Sequence, residues 1–294
     1  MNSALRCILL LSFSFLVPLN ISAQCGQNYD RDVRRIVKAS EKLPHEKTRI
    51  VFAGSSTFRL WDNMAESFPE YEVVNAGIGG SCFDDLYRYK EQLISDTKPD
   101  ILVIYEGDND IVHLEDGKPR SASKIYKDAS ELMEWLRENH PELPVYFLSP
   151  KPSPSRWAYL AKYSAVNKTL KTLSEVYFNY TFIDCWPVLT DANGQVDSSL
   201  FIADMLHLSD EGNGILGDLI SRTISTSSSN EDYLNIFVNG WHRAAANADS
   251  SGYFGVFLDD ESISQGTDGA EYWTAKEFRE WAAPYFRRES AWTF

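Results

Sequence analysis

From residue 48 to residue 190 the chain alternates between short apolar, β-branched runs and longer stretches whose apolar positions recur with helical period. That alternation is the pattern of βα units wrapped around a parallel sheet. The predicted strands are Thr48–Ala53, Tyr71–Asn75, Asp100–Tyr105, Pro144–Leu148 and Thr181–Asp184, each apolar nearly throughout, as strands covered on both faces must be. Asp84–Ser95, Ser123–Asn139, Tyr159–Tyr177 and Ser209–Ile224 read as helices, with Ser209 or Asp210 available to cap the last. The expected fold class is α/β, a three-layer α/β/α sandwich on an open, doubly wound five-stranded parallel sheet. Ligands of such sheets bind beyond the carboxyl ends of the strands.

The pattern changes at both ends. Residues 1–23 carry Arg6, then the apolar run Cys7–Val17, then Ile21-Ser22-Ala23, which together read as a secretory signal peptide cleaved near Ala23. The expected location is therefore exported, periplasmic or secreted. The run is short for a bilayer span and no second candidate follows, so no membrane span is expected in the mature chain. Residues 225–230, Ser-Thr-Ser-Ser-Ser-Asn, read as a linker that closes a domain over 24–224. Beyond it, 231–294 holds Trp241, Trp273, Trp281 and Trp292 and a helical pattern over Asp232–Ala248.

A net charge of -14 repels phosphate backbones, so nucleic acid is not an expected partner. Once the leader is removed, Cys25, Cys82 and Cys185 remain, an odd set in which a bridge between any two is open. No closely spaced Cys/His set suggests zinc, and the acidic turn of Glu106, Asp108 and Asp110 lacks the spacing of a calcium loop; no metal or organic cofactor is expected. Gly77-Ile-Gly-Gly is followed by neither a Lys-Ser/Thr pair nor a dinucleotide fingerprint.

The turns after the first three predicted strands are rich in Gly, Ser, Asn and Asp: Gly54-Ser-Ser-Thr, Asn75-Ala-Gly-Ile-Gly-Gly-Ser and Glu106-Gly-Asp-Asn-Asp. After the fifth strand comes Asp204-Met-Leu-His207. Acyl transfer needs an activated hydroxyl, a base, a group to orient the base, and donors for the oxyanion. Ser56 suits the first role, His207 the second and Asp204 the third. The Ser56 backbone N–H, Gly80 and the non-titrating amide of Asn109 suit the last. Asp110 is expected to fix the turn that aims Asn109.

These four blocks, in this order, resemble the SGNH/GDSL hydrolases over residues 48–222. Gly54-Ser55-Ser56 stands where that family has Gly-Asp-Ser, Asn75–Gly80 matches the oxyanion-glycine block, Gly107-Asp-Asn109-Asp matches Gly-x-Asn-Asp, and Asp204-Met-Leu-His207 matches Asp-x-x-His. Ser55 in place of the family's Asp leaves two adjacent serines, and alignment on Gly54 favours Ser56. Arg59, in Ser55-Ser-Thr-Phe-Arg59-Leu-Trp61, is expected to be a structural ion-pair partner rather than a wall of the site. The resemblance implies a flavodoxin-like fold and a serine esterase, which the N-terminal leader would export, with a small acyl ester as substrate, such as an acetyl group on a carbohydrate. Lysophospholipids and thioesters are the alternative substrates, and a non-catalytic carbohydrate- or lipid-binding module on the same fold is the competing class.

The segment Asn239-Gly-Trp-His through Gly252-Tyr-Phe-Gly and on through Trp273–Phe286 resembles the opening half of an NTF2-like (SnoaL-like) α+β domain over 231–294. Trp241 and Trp281 are expected in its core, and an oligomer formed through this segment stays open.

Overall fold

The computed structural model describes residues 25–115, 117–177, 179–227, 230–257, 260, 263–265 and 272–287, so the predicted signal peptide lies outside the described residues. Five strands, β1 (Arg49–Gly54), β2 (Glu72–Gly77), β3 (Ile101–Tyr105), β4 (Val145–Leu148) and β5 (Tyr180–Ile183), form one parallel sheet in the order β2-β1-β3-β4-β5. That is the flavodoxin-like order, and its switch point lies between β1 and β3.

Period-two alternation sends the strand side chains into two cores. Val51, Ala53, Leu102, Ile104, Val145 and Phe147 pack with α1 (Asp30–Ser40) and with two helices introduced by β3 and β4. Ile50, Phe52, Val103, Tyr105, Tyr146 and Leu148 pack on the other face against Leu216, Ile220 and Ile224. The result is the three-layer sandwich that the periodicity predicts.

Immediately after β1 the chain enters α2 (Ser56–Arg59), too short to be stable alone. Its Phe58 is fully buried, with ring centroids 5.3 Å from Phe52 and 5.8 Å from Tyr105. Burying such a ring contributes about 2–3 kcal/mol. At the strand end Gly54 has φ +149°, and a Cβ there would stand 2.1 Å from the Tyr105 carbonyl oxygen, so β1 and β3 meet at a distance only glycine permits. Asn75 then clamps the turn after β2 to α2: its Nδ2 donates to Phe58 O at 2.6 Å and its Oδ1 accepts from Gly77 N at 3.0 Å.

The remaining helices follow the predicted pattern with local differences. The stretch predicted as one helix over Asp84–Ser95 is split into α3 (Phe83–Arg88) and a π-helical turn at Glu91–Ser95, closed by the Thr97 hydroxyl donating to the Leu93 and Ile94 carbonyls at 2.9 Å. α4 (Asp108–Val112) opens at Gly107, whose φ is +100°. α5 (Ala122–Asn139) is capped by Ser121 Oγ, which accepts from Lys124 N at 3.1 Å. α6 (Leu160–Leu173) precedes β5, and α7 (Asp210–Ser227) closes the sandwich with Ser209 Oγ accepting from Gly212 N.

α7 runs through Ser227, three residues into the stretch predicted as linker, and the next helix, α8 (Asn230–Ala246), begins at its last residue. Thr223 and Thr226 donate back to the Leu219 and Arg222 carbonyls at 2.8 and 2.9 Å, which satisfies their hydroxyls inside the helix and lets a polar run remain helical. Ser228 and Ser229 lie outside the described residues.

The segment that follows adds α9 (Ser250–Phe254), an antiparallel pair Ile263–Gln265 with Tyr272–Thr274, and α10 (Ala275–Ala282). Tyr253, Phe254 and Ala282 are buried at its centre, and Trp241 stacks on Tyr253 at 5.0 Å, as expected of a core residue. Trp281 departs from expectation and is 50% exposed. The next residue, Ala282, takes the inward position, so Trp281 is rotated about 100° away. The segment is tied to the sandwich by Arg137 Nη1 to Asp249 Oδ2 at 2.7 Å and by Arg243 Nη2 to Ser174 O at 3.2 Å. Arg137 and Ser174 stand at the carboxyl ends of α5 and α6, and crossover helices end at the amino edge of a parallel sheet, so these ties lie on the side away from the strands' carboxyl ends.

Of the three cysteines among the described residues, Cys25 and Cys82 form a disulfide and Cys185 is free and buried. Asp85 straddles the bridge, accepting from Gly26 N at 3.0 Å and from Cys82 N at 3.1 Å. The bridge joins positions 57 residues apart, for which chain-entropy arguments give roughly 4 kcal/mol of stabilisation. The Cys25→Ser/Cys82→Ser variant is expected to lose about 3–4 kcal/mol in urea denaturation; an unchanged midpoint would contradict this.

Candidate active site

The sequence-predicted residues meet at the carboxyl edge of the sheet, around the β1/β3 switch point. Ser56 Oγ lies 2.8 Å from His207 Nε2, and His207 Nδ1 lies 2.6 Å from Asp204 Oδ2. Ser56 and Ser55 are thereby distinguished: Ser55 is buried, giving its N–H to Tyr105 O at 3.0 Å, whereas Ser56 faces the imidazole.

The Asp204–His207 turn is built for this orientation. Asp204 Oδ1 accepts from the backbone N–H of Leu206 at 2.9 Å and of His207 at 3.0 Å, leaving Oδ2 for the ring. Met205 sits at φ +56°, a conformation that costs a non-glycine residue about 1–2 kcal/mol. The turn is held from outside by Ser155 N donating to Met205 O at 3.0 Å and Ile202 N donating to His207 O at 2.9 Å.

Electrostatics suit a base and its orienter. Burial pushes the His207 pKa below its ordinary value, a tendency only partly offset by the hydrogen bond with Asp204 and increased by the charge of Lys151. Burial would raise Asp204, but the hydrogen bonds from the His207 ring and from two backbone N–H groups bring it below the usual carboxylate range. At neutral pH the arrangement is therefore a neutral imidazole backed by an ionised carboxylate.

A cavity of about 390 Å³ opens on Ser56 and His207 and is also lined by Gly80, Asn109, Arg59 and Arg156. Gly80 has φ +82° while a Cβ there would meet nothing closer than Tyr29 Oη at 3.7 Å, so the turn's handedness rather than space calls for glycine. Asn109 Nδ2 donates to Ser81 O at 2.9 Å, and its Oδ1 accepts from Arg156 Nη2 at 3.0 Å. Those two bonds fix which way the amide is turned and leave its second N–H for the cavity.

Sequence reasoning missed the layer behind Asn109. Asp108, buried, accepts from Arg156 Nη1 at 2.6 Å and Tyr105 Oη at 2.8 Å, stands 3.4 Å from Lys151 Nζ, and bonds Tyr163. Burial alone would raise its carboxyl, but the Arg156 and Lys151 charges hold it well below the usual range. Asp110 on the other side accepts from Phe83 N at 3.3 Å and from Arg120 Nη1 at 2.9 Å, which agrees with its expected role in fixing the turn. Arg156 and Lys151 carry no local motif; only Pro150 and Ser153–Pro154 marked their loop as a turn.

Arg59 differs from expectation. It is exposed, lines the cavity, and makes no ion pair among the described residues. A group of three carboxylates, Asp84, Asp110 and Asp128, lies close enough together to suggest a metal. Arg120 reaches Asp84 at 2.6 Å and Lys124 reaches Asp128 at 2.6 Å, so protein cations already supply the counter-charge.

Arg156→Met is expected to cost about 3–5 kcal/mol in urea denaturation by removing the nearer of the two cations that neutralise buried Asp108, with Lys151 at 3.4 Å remaining. Adding Asp108→Asn should restore part of that loss, because the under-compensated carboxylate is then gone; a double variant no more stable than the single would contradict the pairing.

Residues 24–215 match the GDSL-like Lipase/Acylhydrolase family, and residues 234–294 match the SnoaL-like domain. A search of curated proteins finds no match. Among solved structures, a Streptococcus pneumonia protein provisionally described as a platelet activating factor superposes with TM-score 0.58 at 20% identity, covering 66% of this chain and 92% of that one. A Bacteroides fragilis NCTC 9343 protein provisionally described as an acylhydrolase gives 0.56 at 20% identity over 66% and 96%. A GDSL-like lipase from Bacteroides thetaiotaomicron VPI-5482 gives 0.53 at 17% identity over 66% and 98%. At such identities the structures speak to the shared fold, while the family match spans well over half the sequence: this chain belongs to the GDSL-like lipase/acylhydrolase family.

Proposed function

We propose that this chain is an exported hydrolase of carboxylic esters that works through an acyl-enzyme on Ser56. The observation that carries the reading is the continuous hydrogen-bonded line from Ser56 Oγ to His207 Nε2 and from His207 Nδ1 to Asp204 Oδ2. In the first half-reaction Ser56 Oγ attacks the ester carbonyl carbon as its proton passes to His207 Nε2. Negative charge on the former carbonyl oxygen is met by the Ser56 and Gly80 N–H groups and the free N–H of Asn109 Nδ2, each contributing about 3 kcal/mol. The ester C–O bond then breaks and His207 returns the proton to the leaving alkoxide. Water repeats the sequence on the acyl-enzyme, releasing the carboxylic acid and Ser56.

A short acyl group fits the walls. Of the described residues lining the cavity, Leu60 and Leu206 carry the apolar side chains, so there is little surface to bury a long chain. An acetyl ester on a polar alcohol such as a sugar is the substrate class that this lining favours over a lysophospholipid. Export rests on the N-terminal apolar run and on the Cys25–Cys82 disulfide, since such bridges persist in oxidising compartments.

The purified protein is expected to release 4-nitrophenol from 4-nitrophenyl acetate with a burst and to be labelled by a fluorophosphonate. Ser56→Ala should abolish both; equal rates in variant and wild type, or an unlabelled wild type, would overturn the reading. Because only neutral His207 can accept the proton and its pKa is lowered by burial, kcat/KM should hold down to below pH 6.5 and fall as pH drops through the His207 pKa. Asp204→Asn keeps an acceptor for the Leu206 and His207 N–H groups but offers the ring the wrong partner. It is expected to lower kcat by about 10⁴-fold with little change in melting temperature. The residual acid limb should move to still lower pH, since the carboxylate that raises the imidazole pKa is gone.

A further inference from the structure

We propose that Arg59 selects esters that carry an oxyanionic substituent, a carboxylate or a phosphate, within a few bonds of the scissile carbonyl. The inference rests on Ser56 being the nucleophile. Ser56 and Arg59 are the first and last residues of α2, a spacing of three that sets two side chains on one helix face with Cβ atoms roughly 5–6 Å apart. Both line the same cavity, so a molecule whose carbonyl reaches Ser56 lies within reach of the guanidinium.

The guanidinium has a seat. A Cβ on Gly79 would stand 2.6 Å from Arg59 Nε, 3.1 Å from Cζ and 3.2 Å from Nη2. Gly79, unlike Gly80, has no positive φ, so the missing side chain there makes room for the guanidinium and not for a turn. Arg59 is thus laid against the loop that offers the Gly80 N–H.

Its charge is also uncommitted. Arg156, the other basic residue of the cavity, is taken up by Asp108 and by Asn109 Oδ1, while Asp32 at the rim faces Arg35 at 3.3 Å. Arg59 makes no ion pair among the described residues and stays exposed. In a chain of net charge -14, anions are repelled at long range, so one that is to be bound needs a local cation. A planar guanidinium suits both oxyanions, which it can meet with two parallel N–H bonds.

The test uses three acetyl esters of similar size: 3-acetoxybenzoate, 3-acetoxyphenyl phosphate and the uncharged methyl 3-acetoxybenzoate. Wild-type protein should favour one or both anions, the better of the two identifying whether an acidic sugar or a phosphorylated alcohol is the closer mimic. In Arg59→Met the anion-to-neutral ratio of kcat/KM should fall about tenfold or more, chiefly through KM, with Arg59→Lys in between because charge is kept while the fork is lost. An unchanged ratio in Arg59→Met would overturn the proposal. Calorimetric binding of the same anions to Ser56→Ala, with and without Arg59→Met, separates the two readings. Weaker binding on loss of Arg59 supports the specificity role even if no ester is turned over, and equal binding refutes it even if all are hydrolysed.

Discussion

The buried carboxylate of Asp108 organises the candidate active site. A charge removed from water costs several kcal/mol unless partners surround it, and here Arg156, Lys151, Tyr105 and Tyr163 converge on it from β3, from the loop after β4 and from α6. The convergence ties those elements together beneath the cavity. It also serves Asn109, because the same guanidinium that neutralises Asp108 holds the Asn109 carbonyl oxygen and so decides which atom of the amide faces inward. Asp110 is anchored independently to Arg120 on the far side, leaving Asn109 fixed between two immobilised neighbours. Lys151 reaches further, its charge helping to keep the His207 ring neutral.

Ser56, Gly80 and Asn109 stand on three turns that need not have met. Their relative placement comes from the parallel sheet, which brings the carboxyl ends of β1, β2 and β3 side by side in the order β2-β1-β3. Two short-range devices then tighten it: the Gly54–Tyr105 approach fixes where α2 begins, and Asn75 binds the carbonyl of Phe58 and the N–H of Gly77 at once. The site is therefore assembled largely from backbone positions on rigid elements, which suits chemistry that depends on preorganised donors. Met205, strained at φ +56°, lies in the turn that carries Asp204 and His207, where the two backbone hydrogen bonds to Asp204 offset the cost.

The C-terminal segment stands apart from this machinery. Its contacts through Arg137 and Arg243 are to helix ends at the amino edge of the sheet, and none of its described residues lines the cavity at Ser56. Its small aromatic core around Tyr253 and Phe254 is its own.

Periodicity and local motifs carried most of the fold and the reacting groups. Short, nearly continuous apolar runs marked all five strands because a strand covered on both faces must be apolar on both. Gly80 and the Asp204-x-x-His207 spacing were legible because they answer to backbone conformation within a few residues. The polar run after Ile224 misled because threonine hydroxyls can be satisfied inside a helix, a choice composition does not reveal. Trp281 misled because one step along a helix turns a side chain from core to solvent. The places of Arg156 and Lys151, and of an Arg59 guanidinium with no ion pair among the described residues, were decided by tertiary structure alone. Whether a charge is paired, buried or left facing a cavity depends on which distant segments cross beside it, and no local pattern in the chain encodes that crossing.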